Sequence, residues 1–128
     1  FGYFDESSDN TKAIQAMADN IKKGGKVVLD FLNAKKVVND LIENESKTVD
    51  NIQFTIKRSF KKGYILKDIY FSDKQQFHFQ EKVQALSLSD FMDLFEKSGL
   101  KIINLWGDYS LNDFNAIHSP RLIILAQK

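Results

Sequence analysis

The side chains that could do acid–base chemistry in this sequence are few. His78 and His118 are its only imidazoles, and either could act as a general base because an imidazole ionises near neutral pH. His78 falls on the polar side of an alternating segment, which is typical of an exposed side chain. His118 stands beside Ser119 and is the better candidate. The catalytic residue is otherwise unassigned.

Two further polar side chains stand next to apolar segments. Asn33 follows the run Lys26–Leu32, and ligands bind at the carboxyl ends of strands in α/β sheets. The alternative, which we favour, is that Asn33 caps the next helix. Arg121 opens another apolar run, and a buried guanidinium needs either a carboxylate or an anionic substrate. A structural ion pair is the more common of these outcomes.

The composition excludes several kinds of site and partner. The absence of Cys rules out thiolate metal ligands, and with two His we predict no metal site. Lys plus Arg number 18 against 17 for Asp plus Glu, and this near-neutral charge argues against a nucleic-acid-binding surface. No apolar run approaches the roughly 20 residues of a membrane span, and no stretch of these residues has the pattern of a signal peptide. We therefore expect a cytoplasmic protein that does not bind a membrane.

Hydrophobic periodicity predicts the elements of the first part of the chain. Apolar residues at helical spacing predict a helix that ends before Gly24-Gly25, and the next run, Lys26–Leu32, reads as a strand covered on both faces. A second helix is predicted from Asn33. The apolar stripe of the first helix comprises Ile14, Met17, Ala18 and Ile21, and that of the second Val37, Val38, Leu41 and Ile42.

From residue 52 the period changes from helical to alternating. Residues 52–85 predict a three-stranded antiparallel meander with one apolar face, and we assign 51–86 as an inserted β segment within a single domain, residues 1–128. Ser87 and Asp90 have the spacing of a capping box, which predicts a third helix ended by Gly99. Strands are predicted at 101–106 and at 121–126.

These elements predict an α/β fold with a mainly parallel sheet, in which the last two strands pair antiparallel. Three strands are fewer than usual for such a sheet, so one edge and much apolar surface would be uncovered. The sequence also starts at Phe1 instead of Met. We therefore expect part of a larger domain or a chain that assembles with a partner.

Four segments follow one another along essentially the whole chain with characteristic spacing. Together they resemble the C-terminal half of a class I S-adenosylmethionine-dependent methyltransferase, a Rossmann-like enzyme. The segments are FGYFD at 1–5, KGGKVVLDFLN at 23–33, EKVQALS at 81–87 leading into FMDLFEKSGL at 91–100, and WGDY at 106–109 followed by SPRLI at 119–123.

The resemblance implies methyl transfer to a small-molecule acceptor, with the meander over the mouth of the active site. Phe1, Tyr3 and Phe4 would lie beside the cofactor, where aromatic rings attract a sulfonium cation; ordinary packing is the equal alternative. Tyr109 would border the acceptor pocket with Asn33 and Arg121. The family's Gly-rich cofactor turn is missing, because the sequence contains no G-x-G. The resemblance thus assigns this chain mainly to the acceptor side.

A hypothesis of a different class is a non-enzymatic α+β interaction module. The apolar face of the meander, or the open edge of the small sheet, would then hold two copies of the chain together as a homodimer.

Overall fold

The computed structural model describes all 128 residues and contains three helices and seven strands. None of the helices has the length and hydropathy that a membrane-spanning helix needs. In chain order the elements are α1 (Ser7–Asn20), β1 (Lys26–Leu32), α2 (Ala34–Asn39), β2 (Asn44–Val49), β3 (Ile52–Lys61), β4 (Tyr64–Asp73), β5 (Gln75–Gln84), α3 (Leu88–Lys97), β6 (Lys101–Trp106) and β7 (Arg121–Gln127).

The first sheet has the strand order β1-β7-β6, and both neighbouring pairs are antiparallel. The antiparallel pairing of the last two strands is therefore confirmed. The expectation of a mainly parallel sheet is wrong for the strands in this chain: β1 and β6 run in the same direction, but β7 lies between them and separates them. The chain is a mixed α/β fold.

Helices α1 and α3 cover one face of this sheet. The buried cluster there draws side chains from both helices and from alternating positions of β1 and β7, which is why the sequence shows helical and alternating periods side by side. Its members include Ile14, Ala18, Leu29, Phe31, Phe91, Phe95, Leu122 and Ile124.

The opposite face of β1 is open, which corrects the prediction of a strand covered on both faces. Val28 is 63% exposed, whereas its neighbour Leu29 is buried. β1 also pairs with β7 alone, so its second edge carries no strand of this chain. Only one face of β1 is therefore covered by this chain, and the apolar side chain of Val28 on its other face is exposed.

The second sheet has the order β2-β3-β4-β5, antiparallel throughout. The predicted meander is confirmed as β3 to β5, and the sheet begins earlier, at Asn44. The added strand β2 has the sequence NESKTV, which lacks an apolar alternation and so gave no signal. Its hairpin to β3 turns at Asp50 and Asn51, with φ of 50° and 63°, as a two-residue primed turn requires.

Helix α2 is shorter than predicted because the chain leaves it to enter β2. It ends at Asn39, so Leu41 and Ile42 lie outside it and Ile42 is exposed. Only the first part of the predicted apolar stripe, Val37 and Val38, packs against the core. Both residues are β-branched, and such residues support a helix weakly.

The apolar face of the second sheet carries an aromatic ladder. The rings of Phe54 and Phe71 lie 5.0 Å apart, those of Phe71 and Phe77 4.8 Å, and those of Phe71 and Phe79 6.0 Å. Near β1, Ile65 and Val83 on the same face join the main core and anchor the sheet. The aromatic ladder lies outside this core, and Phe79 is 55% exposed.

The start of α3 confirms the predicted capping box. The Ser87 hydroxyl accepts a hydrogen bond from the Asp90 backbone N–H at 3.2 Å, and the Asp90 carboxylate accepts one from the Ser87 N–H at 2.7 Å. Gly99 follows the helix with φ of +72°, the left-handed conformation that glycine adopts without strain.

Candidate functional site

A polar cluster lies near the carboxyl end of β1, on the open face of this strand. Asp30 stands at its centre: one carboxylate oxygen accepts a hydrogen bond from Nε of Arg121 at 2.9 Å, and the other accepts one from the Tyr109 hydroxyl at 2.8 Å. The guanidinium carbon of Arg121 lies 6.0 Å from the centre of the Tyr109 ring. We call Asp30, Tyr109 and Arg121 the polar cluster.

Three elements bring the cluster together. Leu29 and Phe31 point into the core, so the alternation of a strand directs Asp30 to the opposite face. The register of β1 and β7 pairs Leu32 with Arg121, which places the guanidinium on the same face. Tyr109 comes from the loop after β6. Tyr109 and Arg121 were both predicted as site residues, and Asp30, which was not predicted, joins them by accepting a hydrogen bond from each.

Gly107 fixes the loop that carries Tyr109. Its N–H donates to the carbonyl of Asn112 at 2.8 Å, and its carbonyl accepts from the N–H of Arg121 at 2.9 Å. A Cβ at this position would stand 2.1 Å from Oγ of Ser119, so no larger residue fits without moving the loop. The backbone thereby ties the Tyr109 loop directly to the first residue of β7.

The carboxylate of Asp30 changes the titration of its phenolic neighbour. The hydrogen bond to Asp30 raises the pKa of Tyr109, with Arg121 opposing the shift. The hydroxyl is therefore a donor held in its neutral form at physiological pH. Because the folded pKa lies above the unfolded value of about 10, the stability from this contact is present at neutral pH and is lost as the pH rises through the folded pKa.

We expect Asp30→Asn to lower the pKa of Tyr109, since a neutral amide stabilises the protonated phenol less than a carboxylate does. Ultraviolet absorbance titration above pH 9 measures phenolate formation, and Tyr109→Phe identifies which signal belongs to this residue. An identical Tyr109 titration in the wild type and in Asp30→Asn would contradict the hydrogen bond.

Asn33 does not cap α2 with its side chain, which corrects the role that we favoured for it. It occupies the N-cap position, but its buried amide Nδ2 instead donates to the carbonyls of Ala116 at 3.0 Å and Ser119 at 2.8 Å. Asn33 therefore braces the loop before β7 at the carboxyl end of β1, beside the polar cluster. Its amide is already engaged, so in this structure it acts as a support.

His118 lies in the braced loop and is exposed. Its backbone N–H donates to the Asn115 side chain at 2.9 Å, while its ring makes no hydrogen bond within the protein. His78 lies on the outer, polar face of the second sheet, where Nε2 contacts the Asp68 carboxylate at 2.8 Å and the ring stacks on Tyr70 at 4.4 Å. Neither imidazole touches the polar cluster.

The segment Phe1–Phe4 lies at the same end of β1 as the polar cluster. Gly2 packs so closely on the Phe31 ring that a Cβ would stand 2.9 Å from it. The Phe1 ring contacts Phe91 at 5.6 Å between centroids and so belongs in part to the core. Tyr3 and Phe4 are exposed. Of the three predicted cofactor residues, these two present aromatic surface to the exterior.

Gln84, buried at the end of β5, ties this segment to the second sheet. Its backbone N–H donates to the carbonyl of Gly2 at 2.7 Å, and its side-chain amide donates to the carbonyl of Phe4 at 3.3 Å. The buried amide of Asn10 in α1 donates to the Gln84 side-chain oxygen. The sequence did not lead us to predict a role for Gln84 or for Asp30. Asp30 could have been found, because a charged residue within an apolar strand indicates a special role, whereas nothing in the sequence distinguishes Gln84.

Comparison with known proteins identifies the fold. No protein-family model and no curated protein sequence matches this chain. Among solved structures, an S-adenosylmethionine-dependent methyltransferase from Clostridium acetobutylicum matches 98% of this chain and 53% of its own, with a TM-score of 0.85 and 18% identity.

Two further structures match in the same way. The CcbJ methyltransferase from Streptomyces caelestis gives a TM-score of 0.78 at 11% identity, covering 98% of this chain and 56% of its own. An amino pentose methyltransferase from Micromonospora echinaspora, solved with SAM bound, gives 0.64 at 10% identity, covering 98% and 53%. The chain spans about half the length of the structures that it matches. It therefore has the fold of about half of an S-adenosylmethionine-dependent methyltransferase.

Proposed function

We propose that this chain is the acceptor-side part of an S-adenosylmethionine-dependent methyltransferase that acts on a small molecule. The observation that carries the proposal is the open border of β1. Its second edge has no strand partner, Val28 on its open face is exposed, and both the polar cluster and the segment Phe1–Phe4 lie at its carboxyl end. Further strands and helices would complete the sheet there, with the ligand site at the strand ends.

The cofactor would contact this chain through its aromatic segment only. The exposed rings of Tyr3 and Phe4 fit a sulfonium cation, which binds favourably against an aromatic face. Phe1 would support them from its contact with Phe91. The chain has no G-x-G turn for the rest of the cofactor, so those contacts would come from residues outside this sequence.

The remaining residues would act on the acceptor. Arg121 would bind it with its free hydrogen-bond donors, and Tyr109, whose O–H is donated to Asp30, would contact it through its ring and its hydroxyl oxygen. Asn33 would hold the loop that precedes Arg121. The cofactor supplies an activated methyl group, so the main tasks of the protein are to align the acceptor and to exclude water. The second sheet would serve as a cover, and His118 is the candidate base where the acceptor must lose a proton.

Titration of S-adenosylmethionine into a longer natural protein that contains these residues, and into the 128 residues alone, tests the proposal. We expect saturable binding, measured by calorimetry, to the longer protein and at least tenfold weaker binding to the 128 residues. No binding by the longer protein would remove the proposal. Equally tight binding by the 128 residues would show that the cofactor site is wrongly placed.

A second candidate function, self-association, is favoured by the aromatic ladder of the second sheet, in which Phe54, Phe71 and Phe77 are half-buried and Phe79 is exposed. Projecting apolar side chains such as Phe79 are costly in water and are typical of an interface. A second copy of the chain would cover them face to face. Light scattering should then give twice the monomer mass, and Phe79→Ser should reduce it. A well-folded monomer at high concentration would exclude this assembly.

A further inference from the structure

We propose that Arg121 binds an acidic group of the methyl acceptor, so that the acceptor is a small molecule bearing a carboxylate or a phosphate. This inference rests on the proposed function, because it concerns the acceptor side of the same site. It is carried by the way in which the guanidinium of Arg121 is held.

The guanidinium is anchored by one of its donors and leaves the others free. Its single hydrogen bond within the protein is from Nε to Asp30, and its side chain is 32% exposed. Both terminal Nη groups, which carry four of the five N–H donors, therefore donate no hydrogen bond within the protein. The planar edge that they form matches the geometry of a carboxylate or a phosphate.

The hydrogen bond to Asp30 holds the free Nη groups of Arg121 in a defined orientation. Asp30 is itself fixed by the strand pairing of β1 with β7 and by the hydrogen bond from the Tyr109 hydroxyl. Rotation of the guanidinium is thereby restricted before a ligand arrives, which lowers the entropy lost on binding. Asp30 and Arg121 together carry no net charge. An incoming anion would therefore bind to the free Nη groups of Arg121, which the contact with Asp30 already holds in position.

Arg58, the only other arginine, is held in the opposite way. It donates from Nη1 to the Glu45 carboxylate at 2.7 Å and to the carbonyl of Ile42 at 3.5 Å, so one of its two terminal nitrogens is bound to the protein, whereas Arg121 is held by Nε alone. Its side chain is also less exposed than that of Arg121. Arg58 is therefore the matched control for a general loss of positive charge.

Titrations of inorganic phosphate and of acetate into the longer protein test the inference. Nitrogen-15-edited spectra of the arginine side chains report which guanidinium responds. We expect saturable shifts of the Arg121 signals with one of the two anions, and the anion that binds more tightly identifies the acidic group. Arg121→Gln should weaken that binding on the order of tenfold, the loss typical of a charge-assisted pair.

Arg121→Lys keeps the charge but loses the paired donors, so we expect an intermediate loss. Arg58→Gln should leave anion binding unchanged. Unmoved Arg121 signals with both anions, or an equal loss in Arg58→Gln, would overturn the inference.

A parallel titration of S-adenosylmethionine into the same samples separates this inference from the proposed function. Cofactor binding without a response at Arg121 means that the acceptor is not recognised by its acidic group, while the methyltransferase proposal stands. A response at Arg121 without cofactor binding removes the methyltransferase proposal, and the anion site then belongs to a different activity.

Discussion

Phe91→Ala is expected to lower the free energy of unfolding by about 3–5 kcal/mol, the range for truncating a large aromatic side chain in a core. Phe91 is 0% exposed and lies where α3 meets β1. Its ring contacts Phe31 at 5.1 Å and Phe1 at 5.6 Å between centroids, so the change removes both aromatic contacts and leaves a cavity. Urea unfolding followed by circular dichroism measures the loss.

The neighbouring residue provides the control. Met92 belongs to the same helix and is 54% exposed, so Met92→Ala removes an apolar side chain of similar length from the surface. We expect a change within about 0.5 kcal/mol, as is usual for surface positions. A loss below about 1 kcal/mol in Phe91→Ala would mean that α3 does not pack on β1 as described.

The sequence predicts most of the elements that position the site because their signals are local. The capping box at Ser87 and Asp90 is satisfied by contacts three residues apart, and the strand Lys26–Leu32 is marked by its own apolar run. Strand β2 escaped prediction because its polar residues pair with β3 through backbone hydrogen bonds, which leave no trace in side-chain type.

The candidate site was less predictable because its contacts join distant parts of the chain. Asp30 meets Tyr109 and Arg121 across the β1–β7 pairing, and an isolated acid in an apolar strand does not reveal its partners. Asn33 illustrates the opposite error. Its residue type and its position before α2 both favour an N-cap, but its side-chain amide donates instead to a loop more than eighty residues away in the sequence.

Gly2→Ala is expected to destabilise the protein and to weaken binding of S-adenosylmethionine by the longer chain at least tenfold. Gly2 has φ of +80°, where a Cβ costs about 1–2 kcal/mol. The new methyl group would also meet the Phe31 ring at 2.9 Å and Val83 at 3.0 Å, and such overpacking adds about 1–3 kcal/mol. Relief of the clash would shift the neighbouring aromatic residues Tyr3 and Phe4, which we propose contact the cofactor.

Gly24→Ala separates the two causes, because Gly24 has nearly the same φ, +84°, and nothing within 4 Å of its Cβ position. Both variants incur the conformational cost, whereas Gly2→Ala alone incurs the clash. Differential scanning calorimetry should thus show a larger loss of stability for Gly2→Ala, and only that variant should lose cofactor affinity. Equal cofactor affinity in the two variants would mean that the segment Phe1–Phe4 supports the fold without contacting the cofactor.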